Sequence, residues 1–397
     1  MRCVGALVIP VEIYITNPHG VRFADGYVNQ AISLDYGKRE FEVGKLVITL
    51  PDTFPSYLFA QHNRVYVWEE GKLAGETFWL IAETEWQSDA QGGWIVKVTA
   101  IDLIALLTYR YAVDYSGDPR TIAIGTAADV VFRIVTEALG ADALDGLIAD
   151  NPARDISAYL DIGAPPPDTP LVFKTFAWQQ ILSTITAICQ TSIEFGTYLT
   201  FDVVVQNNGK PQFRIYKNQR GIDRRGIITL SPEYENLTNV TYKTDWSKIA
   251  TAVVAAGQGE EEDRATVYVV DQSRINLSPF GYIEYFRDAR HIEDLTALEN
   301  EALSRLNDGR PLIYATADLV ERGDSLWGVH FGYGDQVTVA IRDALFDCRI
   351  RAYNVSYADG QKKVSVALEG QFRALRNQSI EDRFTYLAQN ERPLPTP

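Results

Sequence analysis

The clearest alternation of apolar and polar positions lies in residues 335–369. Three runs in this stretch carry β-branched or aromatic residues at every second position, and the first begins after a Gly334-Asp335 turn step. Alternation with a period of two directs one set of side chains into a core and the other into solvent. An Asp359-Gly360 pair before the last run favours a tight hairpin, because both residues tolerate positive φ. The stretch therefore predicts a three-stranded antiparallel meander.

A similar arrangement occurs earlier in the chain, in residues 64–102. Val65 and Val67 open a strand-like run, a Glu70-Gly71 turn follows it, and a glycine-rich turn precedes the sequence WIVKV. The two stretches share a pattern with few identical residues. Internal duplication and two β-meanders of separate origin both explain the likeness, and the pattern does not choose between them.

The region between these stretches has a different residue pattern, with signals for helices as well as strands. Thr126 and Asp129 form a capping-box pattern that predicts a helix ending at Gly140. Residues 163–170 are a proline-rich, stiff connector, and a second helix is predicted over 177–190. Two strand-like runs then flank an Asn-Asn-Gly-Lys turn at 207–210. This middle third is predicted to be an α+β insertion.

The last third returns to strand-like alternation. A helical stripe of apolar residues predicts a helix over 291–308, stopped by Gly309 and Pro311, and a strand over 312–320 follows. After the meander, Ser379 and Asp382 form another capping box that precedes a proline-rich end. This terminal arm has little core of its own, so we expect it to pack on a neighbour or to remain mobile.

Composition and charge limit the function. A length of 397 residues predicts two or three domains, and no apolar run approaches the ~20 residues that cross a bilayer. The net charge of -15 argues against binding nucleic acid through a basic surface. The acidity suits either the wall of a channel that repels nucleic acid or ordinary solubility. Three cysteines without a CxxC spacing, namely Cys3, Cys189 and Cys348, indicate a reducing compartment during assembly and no zinc site.

Motifs for catalysis are missing from the sequence. There is no dinucleotide, Walker, nucleophile-elbow or HExxH motif, and the four histidines lie far apart at positions 19, 62, 291 and 330. The most sugar-like group is Glu83 and Glu85 beside Trp79 and Trp86. Two acids spaced by two residues are more typical of a solvated strand face than of a catalytic pair. We therefore predict no catalytic, cofactor-binding or metal-binding residue, no cofactor and no enzymatic activity.

Several phrases, taken in order, resemble the hub or tail-tip proteins of tailed phages, a family shared with contractile injection machines. They are RVYVWEEGKLAGETFWLIAE, AIDLIALLTYRYAVDY, SPEYENLTNVTYKTDWSKIATAVVAAGQG, the helix before GRPLIYATADL, and YGDQVTV. The resemblance covers roughly residues 30–370. It rests on the order of these phrases, because the family has no invariant catalytic motif to compare.

The resemblance implies an architecture and a set of partners. The expected fold class is α+β, predominantly antiparallel β, with two tube-like β-barrel or sandwich domains separated by an α+β insertion. The expected domains are 1–112, the insertion 113–225, 226–372, and an arm over 373–397. Three chains with two barrels each would form a pseudo-sixfold ring that joins a sixfold tail tube to a threefold spike or fibre.

The same resemblance implies that the chain is a virion structural protein of the tail tip or baseplate, assembled in the host cytoplasm. Expected partners are two further copies of the chain, the tail tube or distal tail ring protein, the tape measure protein and the central spike or fibre. DNA would pass through the lumen without specific binding, and no stable membrane insertion is expected. The alternative is a carbohydrate-binding or glycan-degrading receptor-binding tail protein; a peptidase-like tail component is disfavoured by the missing motifs.

Overall fold

The computed structural model of this chain describes residues 11–88, 93–112, 121–144, 154–176, 178–245, 249–260, 263–277, 279–290, 292–309, 312–323, 325–342, 344–358 and 360–375. The chain divides into two compact units. The first unit consists of Met1–Arg220 and Ala352–Val364, and the second unit consists of Gly221–Arg351 and Ser365–Pro397. A late segment of the chain thus returns to complete the first unit.

The first unit contains a large antiparallel sheet, four small strand pairings and two helices. Its elements are β1 Glu12–Thr16, β2 Arg22–Val28, β3 Ser33–Arg39, β4 Lys45–Pro51, β5 Arg64–Glu69, β6 Lys72–Leu73, β7 Trp79–Ser88, β8 Trp94–Ile101, β9 Tyr111–Ala112, β10 Thr121–Thr126, α1 Ala127–Leu139, β11 Asp161–Ile162, β12 Leu171–Phe176, β13 Gln179–Gln180, α2 Ile181–Glu194, β14 Leu199–Val205 and β15 Pro211–Lys217. Short 3₁₀ helices at Ser56–Phe59, Ala74–Glu76, Leu103–Thr108 and Ala141–Leu144 join some of them.

The large sheet of the first unit follows from the alternation in its strands. Successive residues of β3 and β4 alternate between buried and partly exposed, so that one face of each strand lies in the core. The strand order is β3-β4-β8-β7-β5-β1-β2, and residues 352–358 pair antiparallel with β3 on its other side. The predicted meander in residues 64–102 is confirmed, because β5 pairs with β7 and β7 pairs with β8.

The insertion contains both of the first unit's α-helices. Thr126 Oγ1 accepts a hydrogen bond from the Asp129 backbone N–H and α1 ends before Gly140, which confirms the predicted capping box and stop. The hairpin predicted around residues 207–210 is also confirmed, with β14 and β15 in antiparallel register and Gly209 at a positive φ of 81°. The predicted start of the second helix was wrong. Gln180 is extended and pairs with Tyr111, so α2 begins four residues later than predicted.

The insertion and the large sheet share one hydrophobic core. Buried residues from both parts form a single cluster, including Phe41, Phe78, Leu103, Ile104 and Leu107 from the sheet side and Val131, Ile134, Ile185, Ile188, Phe201 and Phe213 from the insertion side. The Phe41 ring lies 5.5 Å from that of Phe201. Phe41 has a positive φ of 64°, a strained conformation for an aromatic residue that burial in this cluster can offset.

The second unit combines two strand groups with a small helix-covered sheet. Its elements are β16 Thr229–Leu230, β17 Leu237–Asp245, β18 Ala252–Ala256, β19 Thr266–Val270, α3 Gln272–Leu277, β20 Glu284–Asp288, α4 Leu295–Asp308, β21 Leu312–Leu319 and β22 Gln336–Ile341. The two longest strands, β23 Ala344–Ala358 and β24 Gln361–Leu375, have residues in both units. β17 pairs with β21, and the β19-β18-β20 sheet packs on α4 around Val253, Leu298 and Ala302.

The fold class predicted from the sequence, α+β with predominantly antiparallel strands, is confirmed. The meander predicted in residues 335–369 is also confirmed, since β22, β23 and β24 are successive neighbours. The predicted helix over 291–308 begins later, at Leu295, because the Asp294 side chain accepts a hydrogen bond from the Ala297 N–H.

Several predictions from the sequence are not tested. Closure into two barrels and the four-part domain division stay predictions. Residues 1–10, Asp359 and residues 376–397 of the terminal arm lie outside the described residues. The connector over 163–170 forms neither helix nor strand. None of the helices within the described ranges is long and apolar enough to cross a membrane.

Candidate functional site

A buried charge cluster lies between the large sheet and the insertion within the first unit. It consists of Lys38, Asp102, Asp202 and Arg220, whose side chains are 1%, 0%, 1% and 10% exposed. Charged side chains are almost never this deeply buried unless they are paired. The cluster is therefore the most unusual polar feature of the unit.

Lys38 reaches the cluster because of its position in β3. Leu34, Tyr36 and Lys38 occupy successive inward positions of this strand. The Lys38 Nζ lies 2.6 Å from Asp202 Oδ1 and 3.7 Å from Asp102 Oδ2. A lysine at an inward position thus supplies the positive charge that two carboxylates from other elements face.

Asp102 lies between β8 and the 3₁₀ helix at Leu103–Thr108. Its Oδ1 accepts a hydrogen bond from the Ile104 N–H at 3.2 Å, which is the geometry of an N-cap. Its Oδ2 has no hydrogen-bond partner among the described residues and meets Lys38 as an ion pair only. The carboxylate occupies the space beside Gly44, where a Cβ would lie 2.7 Å from Oδ2.

Asp202 is the centre of the cluster. It lies in β14, in which six successive residues from Leu199 to Val204 are buried. Oδ1 accepts from Lys38 Nζ and, at 2.8 Å, from the Val203 N–H, while Oδ2 accepts from Arg220 Nε at 2.8 Å. Arg220 also donates to the more exposed Glu76 at 2.6 Å. Asp202 thus receives both cations, and it joins the insertion to β3.

The two buried carboxyl groups have opposite pKa shifts. Burial raises the pKa of Asp102 to about 6; the Lys38 charge offsets part of this effect, and the charge of Asp202 adds to it. Burial also acts to raise the pKa of Asp202, but the charges and hydrogen bonds of Lys38 and Arg220 outweigh it and hold the pKa below its ordinary value. Asp202 is thus the stably ionised partner, whereas the ionised form of Asp102 is only weakly stabilised by its neighbours.

A second polar cluster in the same unit surrounds Glu69 at the end of β5. Its carboxylate accepts hydrogen bonds from the hydroxyls of Tyr36 at 2.9 Å and Tyr357 at 2.6 Å, and it pairs with Lys362 at 2.5 Å. Burial and the neighbouring Glu69 carboxylate raise the pKa of Tyr36, so this hydroxyl stays protonated and continues to donate. The Glu69 cluster ties β5 to β3 and to the returning segment 352–364.

Both clusters serve to hold elements together. Their acids, bases and phenols pair mainly with one another, and within the described ranges no group of three or more His, Cys, Asp or Glu side chains is placed to hold a metal ion. Asp102, Asp202 and Lys38 are shielded from solvent.

The two acids of the sugar-like group lie on a solvated strand face, as their spacing predicted. Trp79 is fully buried, whereas Glu83 and Glu85 are exposed and lie opposite Thr99 and Lys97 of β8. A register shift between Ile81 and Glu83 reverses which side chains point inward. Trp86 consequently packs edge-on against Phe59 at 6.2 Å. The two acids therefore do not share a groove with the two indoles.

The charge cluster was missed in the sequence, although each member leaves a signal. Lys38 continues the buried alternation of Leu34 and Tyr36, and Asp202 interrupts an otherwise apolar run. Asp102 precedes the apolar turn LIALLT, where it is suited to an N-cap. These signals identify polar residues at core positions, but the pairing of residues 164 positions apart is visible only in the fold.

Gly44→Ala is expected to destabilise the first unit by about 1–3 kcal/mol. The added methyl would lie 2.7 Å from Asp102 Oδ2 and 3.0 Å from its Cγ, so it would push the carboxylate away from Lys38. Urea unfolding measures the change. Gly323→Ala is the matched control, since a Cβ there meets no atom within 4 Å. Equal stability losses in the two variants would contradict the steric explanation.

A known protein family matches most of the chain. Residues 12–368 match the model of a family described as Siphovirus ReqiPepy6 Gp37-like protein. No curated protein matches the chain.

Three solved structures share the fold over nearly their whole length. A tail protein from Neisseria meningitidis MC58 is 12% identical, with a TM-score of 0.55 over 90% of this chain and 96% of that one. The 43 kDa tail protein of prophage MuSo2 from Shewanella oneidensis is 10% identical, with a TM-score of 0.54 over 90% and 98%. Prophage tail protein gp18 from Listeria monocytogenes EGD-e is 12% identical, with a TM-score of 0.51 over 95% and 98%.

Proposed function

Because this chain belongs to the Siphovirus ReqiPepy6 Gp37-like protein family, we propose that it is the structural hub of a phage tail tip or baseplate. The observation that carries the proposal is the family match over residues 12–368, together with a fold that three tail proteins, two of them from prophages, share along almost their entire length. Its place is the tail of the virion, and its partners are other tail proteins.

The finer proposal concerns symmetry. Three copies of the chain form a ring, and each copy contributes two strand groups, one around β5-β7-β8 and one around β22-β23-β24. Three chains with two similar groups each present six similar contacts to a sixfold tube. The same ring has true threefold symmetry, so it presents three identical contacts to a threefold spike or fibre. Support comes from the two meanders, in which β5, β7 and β8 and likewise β22, β23 and β24 are neighbours in chain order, although β6 and a 3₁₀ helix lie between β5 and β7.

The ring adapts the tail tube or distal ring protein to the central spike or fibre and encloses the path of the tape measure protein and the DNA. A net charge of -15 supports this role, because an acidic wall repels the phosphate backbone and lets DNA pass without binding. The proposal assigns no catalytic step to this chain. In this proposal both polar clusters have a scaffolding role, one buried around Asp202 and one partly buried around Glu69.

Cryo-electron microscopy of assembled tails is expected to show three copies of this chain at the tail tip. Light scattering of the purified protein gives the corresponding mass, about three times 44.5 kDa, when the ring forms without its partners. Particles made without this chain are the control, and they should lack the tip density and regain it when the chain is supplied in trans. Copies located in the capsid, or a tip density with one copy, would contradict the proposal.

A further inference from the structure

The buried charge cluster is asymmetric in a way that its scaffolding role does not require. Each acid has a backbone donor, Val203 for Asp202 and Ile104 for Asp102, but Asp202 has two cations within 2.7 Å. Asp102 has one cation at 3.7 Å, and its Oδ2 has no hydrogen-bond partner among the described residues. A buried carboxylate with so little support is costly to ionise. One member of the cluster is therefore poised to take up a proton.

We propose that Asp102 is a proton-operated latch, which binds a proton in mildly acidic solution and then holds the insertion more firmly on the large sheet. With Asp102 neutral, Lys38 no longer divides its charge between two acids and pairs with Asp202 of β14 alone. This bond connects the sheet to the insertion. The inference concerns the first unit and does not depend on the ring.

The surroundings of Asp102 determine the direction of the effect. Lys38 faces it from β3, Asp202 from β14, and Tyr353 from the returning segment, while Arg220 and Glu76 lie on the far side of Asp202. Burial raises the pKa of Asp102 to about 6 from an ordinary value of 3.8. The folded state therefore binds this proton more tightly than the unfolded state, so the stabilisation is present at low pH and is lost as the pH rises toward and past 6.

Asp202 does not contribute to a change in this pH window. Its pKa is held below its ordinary value, so its stabilising effect is present above that value and is lost only in stronger acid. The two carboxyl groups thus act in separate pH ranges. Between pH 5 and pH 7.5, Asp102 is the group of the cluster that changes its charge.

Hydrogen exchange of the full-length protein at pH 5 and pH 7.5, corrected for the intrinsic exchange rate, tests the latch. We expect the opening equilibrium of β14 to be roughly tenfold smaller at pH 5, as the shift of the Asp102 pKa requires. Helix α4 of the second unit is the internal reference. The wild-type protein alone can overturn the proposal. If the opening equilibrium constant of β14 divided by that of α4 is the same at the two pH values, there is no latch.

Two variants assign the effect to its residue. Asp102→Asn keeps the side-chain size and the acceptor for the Ile104 N–H, but it cannot titrate. We divide the opening equilibrium constant of β14 in the wild type by that in Asp102→Asn. This ratio should rise roughly tenfold from pH 5 to pH 7.5. The control is Glu42→Gln, which removes an acid that is 61% exposed, and its ratio should not change with pH. An unchanged ratio for Asp102→Asn, or a similar change for Glu42→Gln, would overturn the assignment.

Discussion

Lys38→Met is expected to destabilise the first unit by about 3–5 kcal/mol, because it removes the cation between two buried carboxyl groups. Asp202 keeps Arg220, but Asp102 loses Lys38, the one cation that pairs with its Oδ2 among the described residues. The methionine side chain has nearly the same volume as that of lysine, so the loss of stability comes from the missing charge more than from altered packing. Urea unfolding at pH 7.5, followed by intrinsic fluorescence, measures the change.

The matched control is the neighbouring Arg39→Met, where the side chain is 65% exposed and pairs with an exposed Glu42. Exposed pairs contribute little, so this variant should change stability by less than about 1 kcal/mol. A second test uses the double variant Lys38→Met with Asp102→Asn. It should be more stable than Lys38→Met alone, because it removes the unpaired acid. A further loss on adding Asp102→Asn would contradict the charge explanation.

Leu107→Ala is expected to cost about 2–5 kcal/mol and to weaken the insertion and the large sheet together. Leu107 is fully buried, and it belongs to the cluster that contains Phe78 on the sheet side and Ile185 and Phe201 on the insertion side. A cavity at this point removes contacts from both sides. Hydrogen exchange resolved by segment should therefore show lower protection in β8 and in α2.

The same substitution at an exposed leucine provides the control. Leu171 lies in the insertion with 73% of its surface exposed, so Leu171→Ala should leave stability within about 0.5 kcal/mol of wild type. If Leu107→Ala lowered the protection of α2 and left that of β8 unchanged, the insertion would fold as an independent domain. The contacts across the shared core would then contribute nothing to the stability of the sheet.

Local features of this fold could be predicted from the sequence because neighbouring residues determine them. The Thr126 cap, the stop at Gly140 and the turn at Gly209 each depend on a few consecutive residues, and all three are confirmed. The family resemblance inferred from short ordered phrases is also confirmed by the match over residues 12–368.

The errors in prediction occurred where distant residues decide the outcome. Helix α2 begins late because the preceding strand β13 pairs with β9, which lies far earlier in the chain. The register shift after Ile81 turns Glu83 and Glu85 away from the buried face of Trp79, although period-two spacing alone would place these three residues together. Lys38 and Asp202 are each unremarkable as charged residues, and only the fold brings them to 2.6 Å. Sequence patterns indicate which face a residue occupies, but they do not identify the partner across that face.

The return of residues 352–364 to the first unit has a consequence for synthesis. β3 pairs with this segment from Arg39 opposite Ala352 to Ser33 opposite Ala358, so its partner leaves the ribosome long after β3 itself. Until then one edge of β3 has no strand beside it, and Tyr357 cannot donate to Glu69. Contacts this distant in sequence form slowly, and open strand edges invite pairing with other chains. The nascent protein thus passes through a long interval in which chaperones have an exposed edge to protect.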